Sequence, residues 1–99
     1  MAKLHITIPH TLAQAEARRL LEREQARIDG LVAAKGGRGE GQWIGDRMEF
    51  ALSILGQQAS GVLSMEEPGK VELDARVPLP ALLLEGKVRE RLRKVLKVQ

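Results

Sequence analysis

His5 and His10 are the only imidazoles in this 99-residue chain, and it has no cysteine. Thiolate catalysis, disulfides and cysteine-ligated zinc are therefore excluded. A metal site needs three or more converging ligands. His5 falls on the polar side of an alternating stretch and His10 in the loop after Pro9, with no third ligand converging in sequence. The nearest carboxylate pair, Asp46 and Glu49, combines a turn position with a strand face, which does not make an acid–base pair in a cleft. Ser53, Ser60 and Ser64 lie inside alternating stretches without a base to activate them. The expectation is a protein that is not an enzyme and holds no metal and no cofactor.

The remaining polar chemistry suits binding. Residues 85–99 carry Lys87, Arg89, Arg91, Arg93, Lys94 and Lys97 against Glu85 and Glu90, so this segment holds the chain's positive excess. Lys87, Arg89, Arg93, Lys94 and Lys97 form a partner-binding candidate, since helix-borne cations contact phosphates and anionic surfaces. They equally suit an ordinary solvated face. Trp43, the lone indole, is a second candidate anchor, or else a half-buried plug whose N–H meets a carbonyl. Glu24 is an irregularity, an acid inside an otherwise apolar stripe, where a charge needs a partner. Either the helix rolls or the Glu reaches past a rim, or Glu24 pairs with Arg91, at the edge of the second apolar stripe, in an ion pair that would fix the register of the two helices.

The elements that position these residues follow from periodicity. Leu4, Ile6 and Ile8 alternate with His5 and Thr7, which makes a half-buried strand. Thr11-Leu12-Ala13-Gln14 has the spacing of a capping box. It opens a helix to about Ala34 with Ala13, Ala17, Leu20, Leu21, Ile28, Leu31 and Val32 on one stripe. Residues 35–42 are glycine-rich and read as a flexible loop. Trp43 to Pro78 then reads as three strands. Met48, Phe50, Leu52 and Ile54 share a face of the first, Ala59, Gly61, Leu63 and Met65 of the second, and Val71, Leu73, Ala75 and Val77 of the third. Gly56-Gln57 and Glu67-Pro68-Gly69 are the expected turns. After Pro78 and Pro80 a last helix places Leu84, Val88, Leu92, Val95 and Leu96 inward.

The fold class expected is α+β in the order β-α-β-β-β-α: a four-stranded, mainly antiparallel sheet with two helices on one face, in a single domain over residues 1–99. The opening residues lack an apolar run of signal-peptide type, and the longest apolar run, Ala81 to Leu84, is far short of a membrane span. A cytoplasmic protein is expected. One Trp and one Phe are too few for base-stacking platforms. The uncovered sheet face, with Ala51, Ser53, Ser60, Val62 and Ser64, is weakly charged and leaves room for a homodimer.

Several motifs together resemble one family. They are Ile6, Pro9, His10 and Leu12 followed by Glu16-Ala17-Arg18; Trp43, Gly45, Asp46 and Phe50; Gly56, Ser60 and Gly61; and the V-x-L-x-x-x-V-P-L-P run before the last helix. Over nearly its whole length the chain is similar to the polyhydroxyalkanoic acid system, or polyhydroxyalkanoate granule-region, proteins of bacteria. The resemblance implies an accessory or regulatory role in polyester-granule metabolism, with a granule-associated protein or the granule surface as partner, and no catalytic residues to transfer. A topological likeness to ribosome-hibernation factors, and in part to double-stranded-RNA-binding domains, makes RNA or ribosome binding the alternative, less favoured because only the last helix is basic. A small apolar-ligand carrier is a third possibility. Ala13, Ala17 and Gly61 would leave the space, and a pocket of roughly 300 Å³ would support it.

Overall fold

The computed structural model describes residues 2–98. Strand β1 (Ala2–Pro9) leads into helix α1 (Gln14–Ala34). Four strands follow, β2 (Arg38–Ile44), β3 (Arg47–Ile54), β4 (Gln57–Ser64) and β5 (Lys70–Val77), then a 3₁₀ segment (Leu79–Leu84) and helix α2 (Glu85–Val95). The sheet has five strands in the order β1-β5-β4-β3-β2, and every neighbouring pair is antiparallel. The α+β class stands. The sheet, however, has one strand more than the alternation of apolar residues indicates.

The additional strand lies inside the glycine-rich stretch that reads as a flexible loop. Arg38 to Ile44 pairs with Ser53 to Arg47 along its whole length. Its even and odd positions do alternate, but the helix-facing positions are Gly39, Gly41 and Trp43, so no apolar period is visible. These glycines are small because α1 lies directly over them. A Cβ on Gly39 would stand 2.7 Å from Asp29 Oδ1 and 3.1 Å from Leu52, and one on Gly41 would run into the Gln25 amide. The edge strand thus fits under the helix only where side chains are absent.

The expected facial pattern of the other strands holds, because side-chain parity in a strand is fixed at two. Leu4, Ile6, Ile8, Met48, Leu63, Met65, Val71, Leu73, Ala75 and Val77 are buried against Ala17 and Leu21 of α1 and Leu92 and Leu96 of the C-terminal helix. Helix α1 packs over β2 and β3, and α2 over β1.

Four local expectations are corrected. Thr11 does not cap α1: the N-cap is Ala13, without a side-chain cap bond, and Ala13 is exposed. The Gln14 amide reaches instead across to the carbonyl of Met65, which ties the helix start to the sheet. The β3–β4 turn is Leu55-Gly56, one residue earlier than Gly56-Gln57, since Ile54 pairs with Gln57. Leu84 and Leu31 leave their stripes and are exposed. For Leu84 the cause is the 3₁₀ segment, whose three-residue turn rotates it away from the line of Val88 and Leu92.

Leu55 (φ 52°) and Gly56 (φ 78°) both adopt the left-handed conformation of a primed hairpin turn. That conformation is unfavourable for Leu by about 1 kcal/mol. Leu55→Asn is therefore expected to raise the unfolding free energy by about 1 kcal/mol, readable as a higher urea midpoint with an unchanged slope.

Candidate functional site

Glu24 sits midway along α1 on the line Ala17, Leu21, Glu24, Ile28, Val32, the face turned to the sheet. It is 7 % exposed. Burial of a lone carboxylate would be unfavourable, and two arginines resolve it. Arg27, one turn on, donates from Nε to Oε1 at 2.9 Å and from Nη2 to Oε2 at 2.8 Å. Arg91, from α2, donates from Nε to Oε2 at 2.8 Å and from Nη2 to Oε1 at 2.9 Å. Each carboxylate oxygen thus accepts one bond from each guanidinium, in two forks. The Arg91 bonds, then those of Arg27, outweigh burial and hold the Glu24 carboxyl down at about 2 against an ordinary 4.5. The same bonds push both guanidinium groups upward. The sequence places Arg27 within i,i+3 reach, but its role as the second arm of an inter-helix clamp is visible only in three dimensions.

Below the clamp lies an apolar cavity of about 230 Å³ between the two helices and the sheet. Leu21 and Ile28 of α1, Val88 and Leu92 of α2, and Phe50, Ala59, Leu63 and Ala75 of the sheet form much of its wall. Polar groups are confined to Glu24, Gln25, Asp29 and Glu40 on the side of α1 and β2. The space expected near Ala13, Ala17 and Gly61 is elsewhere: Ala17 is fully buried, Ala13 exposed, and a Cβ on Gly61 would strike the backbone of Asp74 and Ala75. The volume lies below the ~300 Å³ at which pockets for drug-sized ligands begin, so it suits a short chain.

One end of the molecule carries several exposed leucines. The β3–β4 turn, the end of β5 at Val77, the 3₁₀ segment and the C-terminal turns of α1 all lie at the same end of the sheet, as the pairings of Ile54 with Gln57, Ala2 with Val77 and Arg38 with Ser53 require. Leu55 and Leu83 are each 87 % exposed there, and Leu31, Leu79 and Leu84 are exposed with them. A leucine in the left-handed conformation at an exposed hairpin tip is doubly unfavourable, and such residues cluster where function maintains them. The sequence signal was the density of leucine between Pro78 and Glu85, more than one helical stripe can bury.

The other predicted residues are placed as follows. Lys87, Arg93, Lys94 and Lys97 are exposed and Arg89 half-buried along the C-terminal helix and its end, and among the described residues none of the five is in an ion pair. Lys87 lies three residues after Leu84, beyond Glu85 and Gly86. Trp43 is half-buried between β2 and α1. Its indole N–H donates to Gln25 Oε1 at 3.1 Å, and the Arg18 guanidinium stacks 3.9 Å from the ring centroid. It joins the edge strand to the helix. His5 Nδ1 lies 2.5 Å from Asp74 on the open sheet face. His10 is buried, accepts the Leu12 N–H on Nδ1 at 3.1 Å, and has its pKa lowered by burial. Among the described residues, no group of three His, Asp or Glu is placed to hold a metal ion, and no helix is long and apolar enough to cross a membrane.

Comparison with known proteins adds a family context. No curated protein and no solved structure matches the chain. A family model described as "Putative polyhydroxyalkanoic acid system protein" matches residues 4–99, from the first buried leucine of β1 through the basic C-terminal helix. The chain therefore belongs to the polyhydroxyalkanoic acid system family.

Proposed function

We propose that this protein is a cytoplasmic, non-enzymatic accessory factor of polyhydroxyalkanoate metabolism that docks on the polyester granule. The observation that carries this reading is the set of exposed leucines at one end of the sheet, Leu55, Leu79, Leu83 and Leu84, with the cations of the C-terminal helix following in sequence. Exposed leucines together with Lys and Arg match a surface that is apolar in its interior and anionic at its coat, as interfacial helices match a lipid surface. Each leucine fully buried on docking contributes about 1.5–3 kcal/mol. The cations add a long-range, salt-screened attraction.

Fractionation of polymer-accumulating cells tests the reading. The protein is expected to sediment with granules. Replacement of Lys87, Arg89, Arg93, Lys94 and Lys97 by Gln is expected to weaken that association and to remove its salt dependence, each surface cation contributing about 1 kcal/mol near an anionic surface. Co-sedimentation with ribosomes instead would transfer the basic helix to an RNA role. A protein found wholly free in the soluble fraction would refute granule docking.

A further inference from the structure

We infer that the cavity under the Arg27–Glu24–Arg91 clamp is a binding site for a short, uncharged aliphatic chain bearing a hydroxyl and an ester carbonyl, the chemistry of a hydroxyalkanoate ester unit. The choice of chain rests on the polyester reading above, whereas the cavity stands on geometry alone. Its wall is aliphatic with one aromatic ring, from Leu21, Ile28, Phe50, Ala59, Val88 and Leu92. Its 230 Å³ is larger than the ~150 Å³ engineered apolar cavity that stays dry and takes up benzene. Such a space holds a chain of several methylenes and no bulky ring system.

The polar side sets what the head of that chain can be. Of the carboxylates at the cavity, Glu24 is held by Arg27 and Arg91, and Asp29 stands over Gly39 on the side of α1. A free carboxylate would lose its hydration against the aliphatic wall, with only the paired Glu24 and the Asp29 carboxylate beside it. A hydroxyl can donate to Asp29, and a carbonyl oxygen can accept from the Gln25 amide, whose Nε2 lies beside Gly41. The site thus discriminates the esterified chain from the free acid.

The test is an NMR titration of the full chain with methyl 3-hydroxyoctanoate, with free 3-hydroxyoctanoate as comparator. Saturable shifts are expected at Ile28, Ala59 and Val88, with the ester bound more tightly than the acid. Ala59→Leu from the sheet side, and separately Ile28→Phe from the helix side, remove room for about two methylenes and are expected to weaken binding by about tenfold or more. Shifts that do not saturate, wild-type affinity in both filled variants, or a free acid bound as tightly as the ester would each overturn the site. Because the ester is soluble, the outcome is independent of granule association: ester binding lost in Ala59→Leu with sedimentation retained separates this cavity from the docking surface.

Discussion

Glu24→Gln is expected to lower the unfolding free energy at neutral pH by about 3 kcal/mol, at the low end of the ~3–5 kcal/mol for breaking a buried ion pair from one side. The carboxamide has the volume of the carboxylate, so packing is unchanged. What is lost is the charge that accepts four bonds from two guanidinium groups. Both arginines are half-exposed and recover part of their hydration, which keeps the loss from reaching the upper value. The same figure follows from the carboxyl's displacement from 4.5 to about 2, at ~1.36 kcal/mol for each factor of ten in acidity.

The sign of the pH dependence is fixed by that displacement. The folded state holds Glu24 ionised below the pH at which the unfolded chain protonates it. Its contribution is complete above pH 4.5 and is lost as pH falls from 4.5 to about 2. Urea unfolding of the wild type and Glu24→Gln should therefore converge on acidification across that window. A constant gap would show that the clamp is not the source. Replacing both Glu24 and Arg91 by Leu should recover most of the loss, since a packed apolar pair serves where a buried ion pair serves. The clamp would then be a register device for two helices more than a source of stability.

The second large effect concerns docking. Leu79, Leu83 and Leu84 replaced together by Ser should remove granule co-sedimentation, with affinity lower by at least about a hundredfold, because three leucines each forfeit ~1.5 kcal/mol or more on transfer to the polymer. The folded protein should hardly change, since all three are exposed. Thermal melting of the triple variant within a few degrees of wild type, with sedimentation lost, supports the docking end. Sedimentation retained would show that the leucines serve another purpose. Leu55→Asn sharpens the same test, because it should raise stability while lowering affinity. One residue would then show the opposition between fold and function.

Much of this was legible in the residue order. Alternation of apolar residues set the buried faces of β1, β3, β4 and β5 without reference to neighbours, because side-chain parity along a strand is a property of the backbone. Period 3.6 placed both helices, and the acid at Glu24 and the base at Arg91 stood out from their stripes as charges in want of partners. The absence of cysteine is likewise a matter of composition. The resemblance to the polyhydroxyalkanoic acid system family also rested on residues alone.

Tertiary structure decided the rest, for identifiable reasons. Strand β2 is invisible to periodicity because its inward positions are Gly39 and Gly41, and glycine carries no hydropathy signal. Only the closeness of Asp29 and Gln25 on α1 explains why those positions are empty. Gln14 could close a capping box or reach Met65, and the sheet's proximity selected the second. Leu84 belongs to the buried stripe in any helical projection, yet the 3₁₀ turn after Pro78 carries it to the surface with Leu79 and Leu83. The cavity exists because two helices anchored on opposite edges of the sheet cannot both cover its centre, a distance that no local pattern encodes. Charge and polarity of single residues are thus local properties. The clamp, the cavity and the leucine-bearing end are relations between elements far apart in the chain, and they come into being only when the sheet has set those elements side by side.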